Sequence, residues 1–137
     1  MPMLRIANMI EKPIYGELSY LVTGLLFNVQ NELRRFCNEQ QYCDAIERDL
    51  RKEGISFERE KRLPPSFEGE VEGRNKIDFL IDGKIVLEVK AKRMIVREDY
   101  YQVKRYLTAL NKKLGLLVNF RDKLLRPKRI LNSRADE

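Results

Sequence analysis

Lys76-Ile-Asp-Phe-Leu-Ile-Asp-Gly-Lys-Ile-Val-Leu-Glu-Val-Lys90 decides the fold. Two β-rich apolar runs, 77–81 and 84–89, flank Asp82-Gly83, the strongest short-range hairpin signal a sequence carries. Asp78 interrupts the first run, and Glu88 and Lys90 interrupt the second. A carboxylate within a buried strand is costly unless it is paired or holds a metal, so packing alone explains these residues poorly. Strand side chains alternate, which puts Glu88 and Lys90 on one face. A two-residue loop would set Asp78 across from Leu87, away from Glu88. A three-residue loop, Ile81-Asp82-Gly83, with Gly83 left-handed beside a bulge, brings Asp78, Val86, Glu88 and Lys90 to the same face. The bulged hairpin is therefore the expectation.

A chain of 137 residues with 43% hydrophobic and 35% charged residues has the size and composition of one globular domain. No apolar run has the length of a membrane span, and the first residues lack a signal-peptide pattern, so a cytoplasmic protein is expected. Cys37 and Cys43 are too few for a disulfide framework or a zinc site and read as reduced thiols. The absence of histidine excludes Ser-His and Cys-His catalysis and every histidine-ligated zinc centre. What remains is carboxylate, lysine, tyrosine or oxygen-liganded metal chemistry.

The net charge of +6 is uneven: from Gly69 onward 17 Lys/Arg face 10 Asp/Glu, a net +7. Basic clusters at Lys90-Ala-Lys-Arg93 and Lys104-Arg105 point to a polyanionic partner, nucleic acid first, though charge runs are as often solvated surface.

Along the chain, residues 1–12 are a lead-in, 13–131 the domain and 132–137 a tail. Ile14, Leu18, Leu21, Val22, Leu25, Val29 and Leu33 trace a helical stripe from Pro13 to about Phe36. A second helix runs from Glu39 to Glu53 with Gly54 as its stop. Tyr42, Ile46 and Leu50 form its inner face, and Glu39 lies one turn before Tyr42 on that face. Residues 55–63 alternate as a strand with one wet side, ended by Pro64-Pro65. After the hairpin, Tyr100, Val103, Leu107 and Leu110 mark a helix from Arg97 to about Lys113, closed by Gly115, with Gln102 and Tyr106 beside the stripe. Residues 116–120 read as a strand buried on both faces, and Ile130-Leu131 as a last strand. The order α-α-β-β-β-α-β gives an α/β (α+β) mixed sheet flanked by helices, with the strand after the crossover helix joining in parallel.

Asp78, a turn, Glu88-Val-Lys90 and a helix bearing Gln102 resemble the core of the PD-(D/E)XK nuclease superfamily. Within it, the chain is similar to the small GxxExxY proteins. The similarity covers about Tyr15 to Leu131, through Gly16-Glu-Leu-Ser-Tyr20, Glu39-Gln-Gln-Tyr42, Ile77-Asp-Phe-Leu-Ile81, Leu87-Glu-Val-Lys-Ala91 and Leu116-Leu-Val-Asn-Phe120. The signature glycine position holds Phe36, and Arg105 stands where a neutral polar residue is common.

The resemblance implies a restriction-endonuclease-like core and metal-assisted phosphodiester hydrolysis with Mg²⁺ or Mn²⁺. Asp78, Glu88 and the Val89 carbonyl are the expected oxygen ligands, and the resemblance adds Glu39. Lys90 would orient or deprotonate the attacking water, and Gln102 would position it. Lys92, Arg93, Lys104 and Arg105 would hold the backbone of nucleic acid, DNA before RNA. Small domains of this type often work as dimers or with a protein partner. The competing reading is a non-catalytic nucleic-acid- or protein-binding module on the same fold.

Overall fold

The computed structural model describes residues 13–136 and begins with two helices, α1 (Gly16–Leu33) and α2 (Glu39–Lys52). The expected lead-in, 1–12, lies outside the described residues. α1 stops three residues before Phe36: Arg34 takes a positive φ (65°) and donates its N–H to the Gln30 carbonyl at 2.7 Å. Asn38 then opens α2 with a capping box, in which its side chain and that of Gln41 each accept the other residue's N–H at 2.8 Å. Gly54 ends α2 as expected, its φ of 70° letting Ile55 N–H reach back to the Leu50 carbonyl.

One five-stranded sheet follows, in the order β1 (Phe57–Arg62), β2 (Lys76–Ile81), β3 (Ile85–Lys90), β4 (Leu114–Asn119), β5 (Lys128–Leu131). Helix α3 (Arg97–Leu110) crosses between β3 and β4, the only parallel neighbours among the described strands. Helices α1 and α2 bring Leu26, Val29, Tyr42 and Ile46 against Phe79, Leu87, Val89 and Val118 on one face. Helix α3 brings Val103, Tyr106 and Leu107 against Leu80, Val86, Leu117 and Ile130 on the other. β4 lies between the two layers with all six residues buried, which is why it reads as a continuous apolar run.

The hairpin loop sits one residue later than expected. Asp82 and Gly83 take φ of 52° and 64°, and Lys84 N–H donates to the Ile81 carbonyl at 2.9 Å. Glycine takes that conformation freely and aspartate tolerates it, as the primed hairpin turns require. Lys84 is the extra residue, so Ile81 pairs with Ile85. Both three-residue loops preserve the parity that keeps Asp78 and Glu88 together; the observed one sets them directly opposite each other.

A second departure lies on the other side of Asp78. Ile77 packs on the α3 face, whereas Phe79, two residues on, packs on the α1/α2 face. β1 switches in the same way, from Phe57 on one face to Leu63, just past its end, on the other. Both reversals occur where β1–β2 pairing is interrupted opposite Asp78, at Glu60, which carries a φ of 54°. Strict alternation misses this crossover.

Gly115 does not close a helix. α3 ends at Leu110 with left-handed Asn111 (φ 54°), and Gly115 is inside β4. A Cβ there would stand 2.6 Å from Val103 Cγ1, so the glycine lets α3 lie directly on the sheet. After β5, Asn132 N–H donates to the Lys113 carbonyl at 2.9 Å, and Asp136 N–H to Asn111 Oδ1 at 3.1 Å. Both cysteines are free thiols.

Gly115→Ala should lower stability by about 1–3 kcal/mol through overpacking, read as a fall in the urea midpoint. Combination with Val103→Ala should be less destabilising than the two changes summed. An unchanged midpoint in Gly115→Ala would contradict this packing.

Candidate active site

The antiparallel ladder of β2 and β3 stops at Phe79–Leu87, one pair short of Asp78 and Glu88. Side chains take over the hydrogen bonding from there. Asp78 N–H donates to Glu88 Oε1 at 3.0 Å, and Val89 N–H donates to Asp78 Oδ2 at 2.7 Å. Each carboxylate is thereby fixed by the opposite strand's backbone, while Asp78 Oδ1 and Glu88 Oε2 take no hydrogen bond among the described residues. A strand residue's N–H and C=O point to the same edge, so the Val89 carbonyl faces the opened gap as well. Glu88 is buried at 4% exposure, and Asp78 is half-buried.

Lys90, two residues on, places Nζ 3.8 Å from Glu88 Oε2 and donates to Gln102 Oε1 at 3.3 Å. Gln102 in turn lies beside the buried Tyr106 hydroxyl. The structure thus brings together Asp78, Glu88, Val89, Lys90 and Gln102.

Two buried acids this close cannot both be comfortable as anions. Burial first, and then Asp78, push Glu88 up to about 8, against the pull of Asp78 N–H and Lys90. Burial likewise raises Asp78, opposed by Val89 N–H, Lys90 and Arg59. Tyr106 is raised by burial and by the Glu88 charge.

Glu39 is exposed rather than inward, at the first position of α2, and stands at the rim. Partial burial of its carboxyl and the Asp78 charge raise it, while Lys90 and Lys92 oppose them. Tyr42 fixes that helix end by stacking on Phe120 at 4.3 Å and donating its hydroxyl to the Arg34 carbonyl at 2.6 Å. Of the four basic residues singled out, Lys92 is already ion-paired with Asp99. Arg93, Lys104 and Arg105 are exposed and, among the described residues, have no acidic partner.

Three supporting residues escaped the sequence reading. Asn119 grips the chain leaving β3, accepting from Lys92 N–H at 3.0 Å and donating to its carbonyl at 2.7 Å. Asp99 holds Lys92 and accepts Val96 N–H at 2.8 Å, fixing the α3 end that precedes Gln102. Arg59 bonds Asp44 at 2.7 Å and adds a positive potential at Asp78. Asp99 had a signal, three residues after Val96 in a helix's first turn; Asn119 and Arg59 act across elements and had none.

Among the described residues no three acidic or sulfur side chains gather as a ready-made metal cage. The donors present are two repelling carboxylates with unused oxygens and a main-chain carbonyl. That set of hard oxygens fits Mg²⁺ or Mn²⁺, which keep several waters and need few protein ligands. Residues 16–130 match the sequence profile of the PD-(D/E)XK nuclease superfamily. The chain belongs to that superfamily. PD-(D/E)XK nucleases typically use divalent metals, in keeping with this donor set. No curated protein and no solved structure gives a significant match. No helix among the described residues is long and apolar enough to cross a membrane.

The acid pair has a pH signature in the metal-free protein. Glu88 titrates near 4.5 when unfolded and about 8 when folded, so the native state holds a proton that the unfolded state releases. Stability therefore falls as pH rises through that interval. Glu88→Gln, neutral throughout, should melt above wild type at alkaline pH, with the gap narrowing toward pH ~5. Parallel melting curves for the two proteins at all pH values would refute the buried repulsion.

Proposed function

We propose that this PD-(D/E)XK chain, of the GxxExxY type, is a Mg²⁺- or Mn²⁺-dependent nuclease that hydrolyses phosphodiester bonds in nucleic acid, with 13–131 as its catalytic unit. The observation that carries the reading is the gap between β2 and β3, where Asp78 and Glu88 stand opposed with Lys90 and Gln102 beside them.

Phosphodiester hydrolysis requires a water to attack phosphorus, a developing negative charge to be stabilised and an alkoxide to depart. Asp78, Glu88 and the Val89 carbonyl would hold the divalent ion, and Glu39 would complete its shell directly or through water. Bound there, the ion supplies Lewis-acid stabilisation of the phosphoryl charge and a more acidic water. Lys90 offsets negative charge on the phosphate and directs the attacking water, held in place by the Gln102 carboxamide. The basic surface, Arg93, Lys104 and Arg105 foremost, retains the polyanion, so binding weakens steeply as salt rises.

The non-catalytic reading has one observation in its favour: each acid already has a backbone partner, as a purely structural pair would. Incubation with single- and double-stranded DNA and RNA in Mg²⁺ or Mn²⁺ separates the two. Wild type should cleave; Glu88→Ala and Lys90→Ala should each lose about a hundredfold or more. Equal cleavage by wild type and Glu88→Ala would mark contamination and remove the enzyme reading.

A further inference from the structure

On the α3 face of the sheet, a groove of about 610 Å³ opens between α3 and the segment that follows β1. Leu63 and Pro65 line one side; Tyr101, Lys104, Arg105 and Tyr106 line the other. Tyr106 joins it to the site, since its hydroxyl lies beside Gln102, which accepts from Lys90. The walls are largely apolar, yet two cations stand at the opening. Among the described residues neither Lys104 nor Arg105 has an ion pair or a side-chain hydrogen bond, although acids elsewhere on the surface pair readily. Tyr101 is 56% exposed, an aromatic ring left in water next to them.

Each feature alone is ordinary surface. Together they are a flat ring for stacking, an apolar recess of small-ligand size and two unpaired cations, one step from the residues proposed to cut a phosphodiester. A base within a duplex has both faces covered by its neighbours and cannot use that ring; an unpaired base can. Resting on the nucleic-acid part of the function proposed above, we infer that the groove receives one unpaired nucleotide of the substrate strand. Its base stacks on Tyr101 over the apolar wall, and its phosphate lies between Lys104 and Arg105. The substrate is then single-stranded, or carries unpaired bases next to the position cut.

The test is fluorescence anisotropy in EDTA, where no cleavage occurs. The probes are a labelled single-stranded DNA, its duplex, and single strands with one abasic position moved along the chain. Wild type should prefer the single strand, and one abasic position should weaken binding about tenfold. Tyr101→Ala should bind the intact strand about tenfold more weakly and no longer register the abasic position. Lys104→Gln with Arg105→Gln should flatten the salt dependence by about one unit. All three are surface residues, and unchanged melting temperatures will verify folding. Equal affinity for single strand and duplex, indifference to the abasic position, or variants that bind like wild type would each overturn the inference. So would a dimer that Tyr101→Ala splits while no oligonucleotide binds, which would give the groove to a second copy of the chain. A wild type that binds in the expected pattern but cuts nothing supports this site and rejects only the nuclease reading.

Discussion

Two hydrogen bonds organise this protein: Asp78 N–H to Glu88, and Val89 N–H to Asp78. They end the β2–β3 ladder where the strands would otherwise continue to pair, and they put carboxylate oxygen where carbonyl oxygen would be. A buried ladder broken without replacement would leave main-chain donors orphaned at a cost of about 1–3 kcal/mol each. Here the acids satisfy those donors, so the gap is kept open by the same groups that give it chemistry. On the other side of β2 the pairing is also interrupted, at Glu60 with its positive φ, and Asp78 has no ladder partner on either side. The sheet yields at one residue, and that residue's carboxylate enters the gap between β2 and β3.

The arrangement is held against its own electrostatics. Two carboxylates drawn out of water repel each other, and both hold their protons more tightly than in solution. Lys90 relieves only part of this, from 3.8 Å and while bonded to Gln102. A divalent cation would relieve it far more effectively, which links the strain in the fold to the proposed activity. Supports outside the pair keep the geometry from relaxing. Asn119 and Asp99 fix the chain from Lys90 into α3, and Tyr42 fixes the start of α2 where Glu39 sits.

Much of this was legible from residue order. Asp82-Gly83 announced the hairpin, and the positions of Asp78 and Glu88 demanded an odd loop if the acids were to meet. The apolar run 116–120 foretold a strand between two layers, and α3 foretold its parallel neighbour. The loop's placement was not legible, because two three-residue loops give the same parity and only the turn's backbone angles choose between them. Nor was the face switch between Ile77 and Phe79, since alternation assumes an unbroken ladder. Gly115 was misread because a glycine after a helix looks like a stop; only the approach of Val103 shows that its role is spatial. Glu39 was placed on the inner face by helical spacing, but the first residue of a helix has no preceding turn to bury it.

Calorimetric titration of Mn²⁺ near pH 7, in buffers of different ionisation enthalpy, asks whether the opposed acids take up the divalent cation proposed for them. A cation bound between Asp78 and a Glu88 that titrates at about 8 must displace the proton Glu88 holds. The expected result is one ion per chain, release of close to one proton, and loss of both in Asp78→Asn. Binding without proton release, or heat that persists unchanged in Asp78→Asn, would contradict it.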